Sequence, residues 1–193
     1  MGCFLCMVFM ANAQTDKGNL LLGGDASFIL HNSKWKLERN TGEIEKNKGF
    51  EFFPKVGFFV ADNLAMGVEV PISYLSKETD QGIRTKSMTS LLCFMRHYFD
   101  TDIYHLKTYL HAGIGSGRMS EKFDSGIGPY PKPNVEGFLL SDLSCGLAFF
   151  LGEKITLDIG LGYSSISKKS KEYDGLRTIS SGFASTMGFI IVL

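Results

Sequence analysis

Apolar and polar residues alternate along most of this chain, in eight separate stretches. The clearest is Leu64–Tyr74. There Leu64, Met66, Val68, Val70, Ile72 and Tyr74 share one parity, and Ala65, Gly67, Glu69 and Ser73 the other. A period of two marks an extended strand with unlike faces. Leu20–Leu30 and Phe50–Ala61 show it earlier in the chain. It returns around Leu91–Phe99, Thr108–Gly115, Leu139–Phe149, Ile155–Tyr163 and Gly182–Leu193. Leu20–Leu30, Phe50–Ala61 and Leu64–Tyr74 are each long enough to cross a bilayer as a tilted strand. The connections alternate as well. Tight ones at Val60–Leu64, Phe99–Leu106 and Leu151–Ile155 interleave with long ones through His31–Lys48, Ser76–Lys86, Arg118–Glu136 and Lys168–Arg177. Short turns on one rim and long loops on the other are how transmembrane barrels are strung.

Charge decides which face meets lipid. Asp25, Glu51, Lys55, Glu69, Arg96, Asp142 and Asp158 all fall on the small, Gly- and Ser-rich parity, and none interrupts the apolar one. A soluble barrel with an apolar lumen shows the reverse. The pattern predicts an all-β fold, an eight-stranded antiparallel up-and-down transmembrane β-barrel. A charge turned to the bilayer midplane would cost roughly 2–4 kcal/mol, so Val68→Arg is expected to impair assembly. Gly67→Ser, facing the lumen, is expected to be tolerated better if the cavity has room. Eight strands leave a bore that side chains can fill. The seven inward charges are therefore expected to pair as a plug, with an ion path as the alternative. Pro54 and Pro71 lie inside strands, where proline forfeits a ladder hydrogen bond. Bulges or different strand limits are expected there.

The first residues read as export machinery. Cys3–Met10 is apolar, and Ala11-Asn12-Ala13 is a small-x-small cleavage signature before Gln14. Residues 1–13 are assigned to a signal peptide without its usual basic start, and 14–193 to the barrel. Cys93 and Cys145, left in the mature chain, are expected to be lone buried thiols. Zero formal net charge and a pI of 6.9 give no reason to expect a nucleic-acid partner.

The A-x-A-Gln start, the barrel punctuation and Cys93-Phe94-Met95-Arg96-His97-Tyr98-Phe99 before an acidic turn resemble the outer-membrane protein β-barrel domain family. A Phe-x-Arg-Tyr-Tyr-like strand end recurs in that family; here His97 replaces the first Tyr. The resemblance implies a small eight-stranded barrel in the outer membrane and carries no single activity.

Motifs for chemistry are sparse. Gly113-Ile114-Gly115-Ser116-Gly117 lies within a strand rather than opening a helix, so it reads as barrel packing rather than a phosphate loop. His31, His97, His105 and His111 lack metal-ligand spacing. His97 and His105, with Tyr98 and Tyr104, suit an interfacial girdle. His31-Asn32-Ser33 resembles the His and Ser of outer-membrane lipid A deacylases, without an oriented acid. No cofactor, metal or catalytic residue is assigned. The long loops offer better candidates for contact: Trp35, Tyr130 within Gly128–Pro133, and Lys168, Lys169 and Lys171, which suit lipopolysaccharide phosphates. The expected function is a non-enzymatic outer-membrane barrel, structural or binding an extracellular ligand. A small-solute channel and a lipid-modifying enzyme are the alternatives.

Overall fold

The computed structural model describes residues 15–37, 40–79, 82–103, 105–124, 134–169 and 177–193. The assigned signal peptide lies outside them. Nine described strands follow one another: β1 (Leu20–Leu37), β2 (Asn40–Ala61), β3 (Leu64–Glu69), β4 (Ile72–Thr79), β5 (Gly82–Asp100), β6 (Leu106–Asp124), β7 (Asn134–Phe150), β8 (Ile155–Lys169) and β9 (Arg177–Val192). All pairings are antiparallel, and β1 pairs with both β2 and β9, so the sheet closes on itself.

The nine strands make eight staves, because β3 and β4 are two halves of one. Both pair with β2 on one side and with β5 on the other. The break falls at Val70-Pro71, beside Pro54 of β2. No bulge occurs here, because the register runs on across the gap from Glu69↔Lys55 to Ile72↔Phe52. Two prolines on adjoining rungs simply remove donors that the ladder needs. The remaining groups are used: the Val70 amide donates to the Pro54 carbonyl at 2.9 Å, and the Ser90 amide to the Pro71 carbonyl at 3.0 Å.

The predicted faces hold. Phe52, Val56, Met66, Val68, Leu91, Met95, Leu143 and Phe189 are among the exposed large apolar residues that form a continuous outer belt, reaching 84% exposure at Phe183. A closed barrel with an apolar outside is a transmembrane barrel, because the closed ladder satisfies backbone groups that lipid cannot. Cys93 and Cys145 also lie exposed on this belt, not buried. Their parity is that of Leu91 and Leu143, and a thiol is apolar enough for lipid.

Two of the expected long loops are extended hairpins. β1 and β2 pair out to Leu37↔Asn40, and β4 and β5 to Thr79↔Gly82. The apolar alternation stops where the strands leave lipid, not where the sheet ends. β6 likewise runs to Asp124, so charged residues continue the ladder in water. Residues 125–133 and 170–176 lie outside the described residues. At the opposite rim the turns are tight, with Asn63 (φ 63°) and Gly152 (φ 101°) supplying left-handed positions.

One seam differs from the rest. β1 and β9 pair from Leu21↔Val192 to Ala26↔Met187, with Leu20 and Leu193 exchanging backbone hydrogen bonds at the near end. Beyond Ala26↔Met187, among the described residues, β1 is paired with β2 alone and β9 with β8 alone.

Candidate functional site

The lumen has a closed end and an open one. Towards the short turns it is filled by Leu21, Phe59, Tyr98, Tyr109, Phe150 and Ile190, all buried. Tyr98 belongs to this packing and not to an interfacial girdle. It shares Arg96's parity on β5 and is 2% exposed. Tyr104 lies outside the described residues.

An ionic cluster rests on the aromatic floor. Lys55 Nζ lies 2.5 Å from Asp25 Oδ2 and 3.4 Å from Glu69 Oε2. Arg96 pairs through one amino nitrogen with Asp158, and its other lies 3.8 Å from Asp25 Oδ2. The Arg96 guanidinium also sits 4.2 Å over the Tyr109 ring and donates to Tyr98 Oη and His111 Nδ1, each at 3.4 Å. Thr156 Oγ1 donates to Asp158 Oδ1 at 2.9 Å. β1, β2, β3, β5, β6 and β8 each contribute at least one of these groups, so the cluster ties most staves together across the bore. Burying such ions is tolerable only because each finds partners.

Five of the seven predicted charges, Asp25, Lys55, Glu69, Arg96 and Asp158, are thus brought into one cluster. Glu51 and Asp142 stand apart from it. They line a cavity of about 100 Å³ above, where Glu51 accepts from Ser73 Oγ at 3.1 Å. Asp142 Oδ1 is buried with no hydrogen-bond donor among the described residues.

His111, Tyr98, Tyr109 and Thr156 were not singled out as members. Parity was the available signal, since His111 faces Arg96 directly across the β5–β6 ladder. His111 stacks on Phe94 with ring centroids 5.2 Å apart. Among the described residues no group of His, Cys, Asp and Glu is arranged to hold a metal ion.

The lumen offers less room beside glycine than parity suggests. Gly67 faces Gly57 across the β2–β3 ladder, and a Cβ there would strike the Val56 carbonyl and the Gly57 backbone. The room on which tolerance of Gly67→Ser depends is therefore lacking at this rung. Of the loop candidates, Lys168 lies 3.8 Å from Glu136 Oε2. Trp35 and Lys169 lie on β1 and β8. Tyr130 and Lys171 fall outside the described residues.

These features form a closed ring of eight staves with an apolar exterior and a polar, ion-paired interior. The fold is similar to that of neisserial surface protein A (TM-score 0.54, 18% identity, covering 91% of this chain and 99% of that one). The fold is that of a small outer-membrane β-barrel. The outer membrane is where such barrels reside. Weaker likenesses extend to Ail, the attachment invasion locus protein of Yersinia pestis (TM-score 0.49, 16% identity, 91% of this chain and 98% of that one), and to OprG of Pseudomonas aeruginosa (0.47, 13%, 93% and 98%). No protein-family model and no curated protein matches the chain.

Proposed function

We propose that this barrel is a non-enzymatic outer-membrane protein that works from its outer rim, with a transmembrane part that does not conduct. The observation that carries this reading is the sealed floor of the lumen. Arg96, Tyr98, Phe59 and Asp158 are each at most 2% exposed and meet across the bore. A solute entering from the open end would have to separate Arg96 from Asp158 and move an aromatic layer. The strand extensions beyond the apolar belt are the surfaces left for a ligand, and they carry Trp35, Lys168 and Lys169. With Tyr130 and Lys171 these are the candidate contacts, the lysines suiting lipopolysaccharide phosphates. The long extensions are assigned to the cell exterior and the tight turns to the periplasm, as in other barrels of this type.

The test is electrical. Refolded protein in planar bilayers should give no discrete conductance steps. Reproducible steps would put the small-solute channel first. An unchanged lipid A mass spectrum on deletion is expected; an altered one would favour the lipid-modifying enzyme.

A further inference from the structure

On the outer wall, where β4, β5 and β6 adjoin, the margin of the apolar belt turns polar. Arg118 is exposed and shares the outward parity of Ile114 and Ser116 on β6. The ladder aligns it with Phe52, Ile72 and Thr89, at the edge of the belt towards the long hairpins. On the next outward rung Phe50 and Tyr74 stack with ring centroids 6.1 Å apart, as aromatic residues gather where a barrel leaves hydrocarbon. One rung farther lie Lys48 and Lys122, at the two ends of a row completed by Ser76 and Thr85. Both lysines are exposed, and neither they nor Arg118 form an ion pair among the described residues. Glu78 and Asp124, the first acids on this face, come a further rung out.

The wall is also dented here. Val70, Thr89, Leu91, Ser116 and Arg118 line an open groove beside the proline break between β3 and β4. Gly137, across the ladder from Arg118, adds no side chain to fill it. The groove has two unlike ends. Towards water it offers a guanidinium and the hydroxyls of Thr89 and Ser116. Towards lipid it runs onto Leu91 and Ile114, which are 58% and 69% exposed. A free anion would leave the aliphatic end bare, and a neutral lipid would leave the cations without a counter-charge. A phosphate joined to an acyl chain matches both, and the planar fork of arginine suits phosphate oxygens. We infer that this groove is a binding site for a phosphorylated glycolipid of the outer leaflet, its phosphate on Arg118, Thr89 and Ser116 and an acyl chain along Leu91 and Ile114. Lys122 lies four residues on, roughly 13 Å along the strand, where it meets a second phosphate of the same headgroup. The site rests on the assignment of the long extensions to the cell exterior, and it lies on a different wall from Lys168 and Lys169.

The experiment uses the whole protein refolded in an uncharged detergent and titrated with diphosphorylated lipid A, the complex being counted by native mass spectrometry. A micelle has no inside or outside, so the result does not depend on orientation, which protease on intact cells tests separately. Saturable binding is expected, at least about tenfold weaker for lipid A stripped of its phosphates, the scale of one lost charge-assisted hydrogen bond. Arg118→Gln should weaken binding by a similar factor. Ser116→Phe, which fills the groove and keeps every charge, should weaken it as well. Lys154→Gln, which removes an exposed cation at the opposite rim, should leave it unchanged. Equal binding of the dephosphorylated lipid overturns the inference, and so does an equal effect of Lys154→Gln and Arg118→Gln, which would mark unspecific charge attraction. Equally tight binding of phosphatidylglycerol would replace the glycolipid with any anionic membrane surface. Loss of binding in Lys169→Gln with Arg118→Gln unaffected would keep the outer-rim lysines and overturn this site.

Discussion

Arg96 meets Asp158, Asp25, Tyr98 and His111 together while lying on Tyr109, a combination for which only a guanidinium offers enough donors. Arg96→Met keeps much of the volume but leaves Asp158 buried without its cation. Unfolding in urea, followed by heat-modifiable gel migration, should show a loss of about 3–5 kcal/mol. A loss under 1 kcal/mol, roughly the worth of an exposed pair, would mean that water already solvates the cluster. Gly188 tests the same cluster from the opposite wall. It faces Asp25 across the β1–β9 ladder, and a Cβ would collide with Asp25 Oδ1 and the Gly24 carbonyl. Gly188→Ala should cost about 1–3 kcal/mol. The cost should shrink in an Asp25→Ala background, and a double-mutant cycle gives the coupling. The charges themselves were legible in the sequence, because parity alone sorts Asp25 from Ala26. Their partners were not, since pairing across a bore depends on which staves face one another, and parity is silent on that. Tyr98 was misjudged for a related reason: an aromatic beside a turn suits an interface or a plugged end equally well.

A strand here has two regimes, one in lipid and one in water, and the sequence pattern reports only the first. Val68, on the outer belt of β3, and Gly67, on the inner face, are adjacent in the chain and intolerant for different reasons. Val68→Arg should cost roughly 2–4 kcal/mol in a bilayer, and the loss should fall in a shorter-chain lipid that brings the charge nearer the interface. Gly67→Ser should cost about 1–3 kcal/mol through collision with the β2 backbone, and lipid thickness should not change it. Equal response of both to lipid thickness would invert the assigned faces. In the watered regime, Lys86 of β5 lies beyond the belt. Burial first, and Lys168 second, hold its ammonium below the usual lysine range, while Glu121 opposes them. Its folded pKa is thus below its unfolded one, so the fold resists its protonation. The outer extension should gain stability as pH rises through the folded value, with the gain complete above the unfolded one. Lys168→Gln should raise the Lys86 titration, read from the 13C signal of the dimethylated lysine; an unmoved titration would show that the two ammonium groups do not interact. The hairpin extensions escaped the sequence reading because charged residues on both faces of a solvated strand leave no alternation to detect.

At the scale of the molecule, closure, orientation and folding order are linked. Eight staves were legible because each must present an apolar row to lipid, and the ninth described strand appears only because two prolines cut one stave. Orientation is open to a protease. On intact cells, cleavage should fall near Lys132 or Lys169 and spare Asp62-Asn63; cleavage at Asp62 would turn the barrel over. The short β1–β9 seam bears on how the ring comes to exist. Every other joint links strands that follow closely in the chain and can form as local hairpins, whereas this one joins Leu21 to Val192 across nearly the whole chain. It carries the largest loop-closure entropy and returns the fewest rungs for it. The barrel should therefore assemble first as a curved, open ribbon, with closure of this seam as the late barrier. Destabilising substitutions on the β5–β6 hairpin, already formed when the seam closes, should mainly slow folding, whereas equally destabilising ones at Gly23 or Ile190 should mainly speed unfolding.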